Sequence, residues 1–166
     1  MSLTGKPALT SAAIIANDGF WPDLALSDLM SQYRIPSEYA DETIKTGLTM
    51  AIIRTNEQLF AVKQGFLALA YATLEDYTDA HPDDINDTPV LLWHYQHAVF
   101  CLAKAMLLQQ FNSLNRKPEA ENAAKEAPET EAYWLNEAQR SLNSLFAVIL
   151  PTQSQPGKAG FHVALL

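Results

Sequence analysis

With 166 residues, 48% of them apolar and 18% charged, the chain has the length and apolar content of one folded domain around a single core. That excludes a disordered polar segment, and a net charge of −8 excludes a protein that holds nucleic acid by neutralising phosphates, which takes clustered Lys and Arg. The single cysteine, Cys101, cannot close an internal disulfide, so nothing asks for an oxidising compartment and a cytoplasmic setting is expected.

Residues 1–19 are small and polar without a period and read as an extended arm. Lys6 is the only basic residue of Met1–Asn17 and no apolar run follows it, so the start of the chain does not read as a signal peptide. Phe20-Trp21-Pro22-Asp23-Leu24 is an apolar cluster whose proline forbids regular helix, and it is expected to pack as an irregular anchor. Ser27 then caps a short helix through Tyr33, which Ile35-Pro36 ends, because a proline disfavours the α conformation in the residue before it.

The longest predicted helix starts at Ser37, with Glu38, Asp41 and Glu42 complementing its positive end and Gly65 as its terminator. Ile44, Leu48, Ala51, Ile52, Leu59 and Val62 recur on one face of what is about 40 Å of helix at 1.5 Å per residue. Phe66–Tyr71 is read as extending that helix after a kink, and Asp79–Asn86 with Pro82 as loop. Glu75, Asp76, Asp79, Asp83, Asp84 and Asp87 lie in this region without a Lys or Arg among them.

Thr88-Pro89 reads as a helix start, Thr88 as cap and Pro89 at the first position, where its missing N–H costs nothing. The helix is expected to reach about Phe111. Lys104 is its only formal charge, which places it at the centre of a bundle. His94, Gln96, His97 and Lys104 argue against reading the same window as a membrane span. Asn112–Glu131 lacks an apolar stripe and reads as a solvated linker. A last helix carries Trp134, Ala138, Leu142, Leu145 and Ile149 ahead of Pro151, and Phe161–Leu166 is a short apolar tail.

The expected architecture is therefore mainly α: an arm at 1–26, a bundle of about four helices at 27–150 with a linker at about 112–131, and a second arm at 151–166. Ile44, Leu48, Leu59, Leu102, Trp134 and Leu142 are its expected core residues.

Chemistry is mostly excluded. His94 and His97 stand three apart on one helix, but no HExxH and no Glu-x-x-His pair accompanies them, so helix packing outweighs a metal site. Asp83–Asp87 lacks the glycine and the closing glutamate of a calcium loop. His97 lies one turn before Cys101, yet Val99, Phe100 and Leu102 make its surroundings apolar and unsuited to a thiolate nucleophile. Phosphate-binding glycine motifs and nucleophile elbows are missing from the sequence. Trp93, Tyr95, Phe100 and Trp134 read as core. No catalytic residue, cofactor or metal is expected, and the chain is read as a protein-binding domain. Its candidate contact residues are Phe20, Trp21 and Leu24 in the first arm and Phe161, Val163 and Leu165 in the second, with packing on their own bundle as the competing reading.

The order of these pieces resembles the head completion protein family of temperate contractile-tailed phages. The likeness rests on Phe20-Trp21-Pro22-Asp23-Leu24, the long helix with Thr55-Asn56-Glu57-Gln58-Leu59, Tyr95-Gln96-His97-Ala98-Val99, and Trp134, and covers about residues 20–150. Gln58 stands where the family pattern has an acidic residue, and Gln96-His97 where it has a Glu-Arg pair.

The resemblance implies a structural protein that joins the head after DNA packaging. It would contact the portal protein and prepare that vertex for a tail-side connector, at the head-tail vertex of the virion and in the host cytoplasm during assembly. It also implies a homo-oligomeric ring beside DNA that is not specifically bound, with no membrane; the acidic residues of Glu75–Asp87 would then repel the passing duplex. The runner-up is a helical adaptor or regulatory protein of the host, and a metal-dependent bundle enzyme ranks last.

Overall fold

A computed structural model describes residues 13–35, 40–114 and 130–149, the side chains of 111–114 excepted. Two short strands, β1 (Ile14–Ile15) and β2 (Leu24–Ala25), pair antiparallel with Ile14 opposite Ala25. Helices α1 (Leu26–Gln32), α2 (Asp41–Gln58), α3 (Phe60–Ala68) and α4 (Leu74–Ala80) follow. A second antiparallel pair, β3 (Asp84–Ile85) and β4 (Thr88–Pro89), leads into α5 (Val90–Leu114), and α6 (Glu131–Ile149) closes the order. The mainly α class stands, with six helices among the described residues rather than about four.

α5 is the axis, packed along α6 and α2, with α4 near its start. It buries Tyr95, Ala98, Val99, Phe100, Cys101 and Leu107, as its nearly uncharged sequence requires. α2 and α3, with Leu59 between them, contribute Ile44, Leu48, Leu59, Val62 and Phe66, and α6 contributes Ala138, Leu142 and Leu145 at helical spacing. Of the expected core residues, Leu102 and Trp134 are only half-buried, because each sits at the edge of the stripe its helix turns inward. Trp93, also expected in the core, is 40% exposed.

Several boundaries differ from expectation for local reasons. Gly65 does not end a helix. It lies inside α3, where a Cβ would meet Ile149 Cγ2 of α6, so the glycine permits close approach of two helices. The terminator is Ala70, left-handed at φ 68°: Tyr71 N–H donates to Phe66 O at 3.2 Å and Ala70 N–H to Leu67 O at 3.0 Å. This is the paired-bond ending usually built on glycine. α1 also ends on a left-handed residue, Arg34 at φ 48°, with Ile35 N–H donating to Met30 O at 3.2 Å.

Lys104, buried in α5, donates to Tyr33 O at 2.9 Å and Arg34 O at 3.1 Å, satisfying carbonyls at that helix end. Its charge is thereby spent on a neighbouring helix. At the start of α1 the cap residue is Ala25, not Ser27, and Ala40 precedes α2, while Ser37 lies outside the described residues.

α4 is a helix the sequence reading does not include, and it overlaps the expected loop only at Asp79 and Ala80; Thr73 and Asp76 form a complete capping box at its start. Asp76 N–H donates to Thr73 Oγ1 at 3.0 Å, and Thr73 N–H to Asp76 Oδ2 at 2.9 Å. Thr88-Pro89 forms β4 instead of a helix start, because Asn86 and Asp87 both take positive φ, 53° and 57°, and fold a two-residue hairpin turn there. In the expected linker, α5 continues to Leu114 and α6 begins at Glu131; residues 115–129 lie outside the described residues.

Candidate functional site

The contact residues expected in the first arm are part of the core. Phe20, Trp21 and Leu24 are each 3% exposed or less, so in this fold they are not free to meet a partner, which corrects the expectation for those three. Trp21 stacks on Tyr95 with ring centroids 4.7 Å apart and planes 3° apart, and Phe20 packs near Phe66 and Trp21. Residues 13–26, placed by sequence in an arm, thus pack on the bundle. Phe161, Val163 and Leu165 lie outside the described residues.

Polar groups fix this segment. Asn17 Nδ2 donates to Tyr95 Oη at 2.7 Å, Tyr95 Oη donates to Asn56 Oδ1 at 2.7 Å, and Asn56 Nδ2 donates back to Asn17 Oδ1 at 2.8 Å. Three hydrogen bonds close a ring between the segment, α2 and α5. Burial pushes the Tyr95 hydroxyl well above its ordinary range, which keeps it a neutral donor. Asp18 accepts from the Phe20 and Trp21 N–H groups at 3.0 and 3.3 Å and pairs with Lys63 at 2.8 Å. Burial pulls its carboxyl pKa up, but the Lys63 hydrogen bond and those two N–H groups outweigh it and hold the pKa below the usual carboxylate value.

His94 and His97 line an open groove of about 340 Å³ between α5 and α6, with Trp93, Glu137, Arg140 and Ser144. His97 Nδ1 lies 2.6 Å from Tyr33 Oη, and its Nε2 lies 3.4 Å from Cys101 Sγ. Burial pushes the Cys101 thiol up to about 12, with the Glu137 charge adding to the effect, so it is a thiol and not a thiolate at neutral pH. Burial lowers His97, with His94 acting the same way and Glu137 opposing. Among the described residues no three His, Cys, Asp or Glu groups are placed to hold a metal ion. No described helix is long and apolar enough to cross a membrane.

The acidic region is solvent-facing: Glu75, Asp76 and Asp79 on α4 and Asp83, Asp84 and Asp87 around the hairpin are all exposed. Ile85, 66% exposed, stands among them. Sequence reading missed the Asn17–Tyr95–Asn56 ring, since its members are 39 and 78 positions apart and no local spacing signals them. The capping box of α4 was legible as Thr-x-x-Asp.

Two relatives share long stretches with the chain. A probable head completion/stabilization protein of Haemophilus phage HP1 (strain HP1c1) is 31% identical over 102 residues, 61% of this chain and 66% of that protein. The head completion/stabilization protein of Escherichia phage P2 is 21% identical over 111 residues, 67% of this chain and 64% of that protein. The match thus spans just under two thirds of either relative's length. No solved structure gives a significant match. The model of the phage head completion protein (GPL) family matches residues 15–149, nearly the whole described fold, and the chain belongs to that family.

Proposed function

We propose that this chain is a structural subunit of a tailed-phage virion that completes and stabilises the head after DNA packaging. The observation that carries this is the family match over residues 15–149. Both curated relatives bear names of the same role, and the role asks for binding surfaces rather than a reaction centre. On this reading the chain sits at the head-tail vertex, meets the portal protein on one side and a tail-side connector on the other, and takes its place in a ring of copies.

Phe161, Val163 and Leu165 are the contact residues of this reading, since Phe20, Trp21 and Leu24 are spent on the core. The exposed carboxylates of α4 and the hairpin support a position beside DNA that passes without being held, because no Lys or Arg occurs between Lys63 and Lys104.

The test is co-purification of the full chain with the portal protein of the same phage genome, beside the triple variant Phe161→Asp, Val163→Asp, Leu165→Asp. Binding by the wild type alone supports both the role and the contact. Equal binding by the two moves the contact away from these residues, and no binding by either removes the portal from the reading.

A further inference from the structure

A cleft of about 350 Å³ opens between α4, the β3–β4 hairpin, the start of α5 and the end of α6. Its walls are mainly apolar and include Tyr77, Pro82, Val90, Leu91 and Val148, with His81 beside them. Tyr77 and His81 stack with ring centroids 4.4 Å apart and planes 21° apart, and Tyr71 packs steeply against both. A dry apolar cavity of about 150 Å³ already takes a benzene ring, so this cleft has room for about two large apolar side chains from elsewhere.

The place where α6 ends points to the occupant. Val148 is a wall of the cleft and Ile149 closes the helix, so residues 150–166 leave from the cleft's edge. Phe161 follows Ile149 by twelve residues, a reach of up to about 40 Å, which is ample for turning back onto the cleft. Phe161, Val163, Leu165 and Leu166 supply large apolar side chains within six residues. Of the other long stretches outside the described residues, 115–129 has no large apolar side chain, and 1–12 joins the fold at Ala13, which is not a wall of the cleft.

Charge favours the same segment. Asp83 lines the cleft, Asp79 and Asp84 flank its lining residues, and no Lys or Arg occurs between Lys63 and Lys104. Residues 150–166 contain Lys158 and no Asp or Glu, so they approach this acidic rim with attraction and without repulsion. Tethering decides between the chain's own cleft and that of a second copy: a segment on a short linker meets its own cleft at a millimolar effective concentration, far above that of other copies in a micromolar solution.

We propose that residues 161–166 dock in the cleft between α4, the hairpin and α6 of their own chain, with Phe161 and its apolar neighbours in the space beside Tyr77, Leu91 and Val148. Docking covers an apolar segment that would otherwise stay in water. It is the state of the free chain; on the head-completion reading the same side chains leave the cleft for the portal, and only that handover rests on the reading.

Paramagnetic broadening in the free, full chain tests it. A nitroxide is attached at Asp84→Cys beside the cleft, or at Gln139→Cys on the exposed side of α6, while the buried Cys101 stays unlabelled. Circular dichroism confirms that both variants fold. The expected result is loss of the amide signals of residues 161–166 with the label at 84, their survival with the label at 139, and their recovery when Phe161→Asp, Val163→Asp and Leu165→Asp are added. No loss from position 84, equal loss from both positions, or a loss that persists in the Asp variant overturns the proposal. So does a loss seen when nitrogen-15 wild type is mixed with nitroxide-bearing, unenriched Asp84→Cys protein, which would place the segment in another copy's cleft. No portal protein enters the experiment, so its failure and that of the co-purification are read separately.

Discussion

Gly65 lies in the interior of α3, where exchanging glycine for alanine ordinarily adds about 1 kcal/mol by reducing the freedom of the unfolded chain. Here the new methyl group would run into Ile149 Cγ2, at the point where α6 closes over α3. Overpacking of this kind costs about 1–3 kcal/mol, so Gly65→Ala is expected to lose up to about 2 kcal/mol net, against the usual sign. Truncating the obstacle restores the usual sign: in an Ile149→Ala background, Gly65→Ala should gain about 1 kcal/mol, a coupling of about 1–3 kcal/mol between the two sites. Urea unfolding followed by circular dichroism reads the four proteins of the cycle, and an unchanged denaturant slope licenses the comparison. A stabilising Gly65→Ala in the wild-type background would mean that Ile149 does not cover α3, and would refute the α3–α6 packing.

Four further outcomes follow from the same contacts. Ala70→Gly should raise stability by about 0.5–1 kcal/mol in urea unfolding, because it relieves a left-handed alanine at a helix end already shaped for glycine. Tyr95→Phe should cost about 1–3 kcal/mol, since it leaves Asn17 and Asn56 without the hydroxyl that joins them while keeping the stack on Trp21. Leu107→Ala, at a fully buried site facing Gly47, should cost about 2–5 kcal/mol and Leu102→Ala distinctly less; equal losses would place α5 in the wrong rotation. Burial holds the folded His97 below the ordinary imidazole value of 6.5, so the unfolded chain takes up that proton first. The stability this contributes is whole above pH 6.5 and is lost as the pH falls through the folded value; His97→Gln should flatten that part of a pH–stability curve.

Periodicity made much of the fold legible. Ile44, Leu48 and Leu59 on one face, the nearly uncharged run from Val90 and the spacing of Ala138, Leu142 and Leu145 report core-facing stripes that a helix cannot leave in water. Helix ends were less legible because tertiary neighbours supply what capping side chains usually do: Lys104 satisfies the end of α1, and Ala70 takes a conformation for which glycine is the usual signal. Gly65 misled for the converse reason, since its absent side chain answers a residue 84 positions away, and Leu102 and Trp134 show that helical spacing gives a face but not its depth. The contact residues were the least legible. A cluster such as Phe20-Trp21-Pro22-Asp23-Leu24 has the same composition whether it meets a partner or its own bundle, and only Tyr95 and Phe66 beneath it decide.

That decision sets where the chain can be cut without destroying what the cut is meant to test. Deletion to residue 26 would remove Phe20, Trp21 and Leu24, expose the faces of Tyr95 and Phe66, strand Asn56 without Asn17, and leave Lys63 without Asp18. Each buried aromatic or leucine lost costs about 2–5 kcal/mol, so their sum is of the order of a whole domain's stability. Loss of partner binding by that truncation would therefore report unfolding. Deletion of residues 1–12 leaves every described contact in place, including the Leu26 N–H bond to Ala13 O at 2.9 Å. It should preserve both the melting temperature and the cooperativity of unfolding, and only on that background does loss of portal binding speak to an N-terminal contact. A melting temperature lowered by the shorter deletion would show that the first twelve residues also belong to the folded unit.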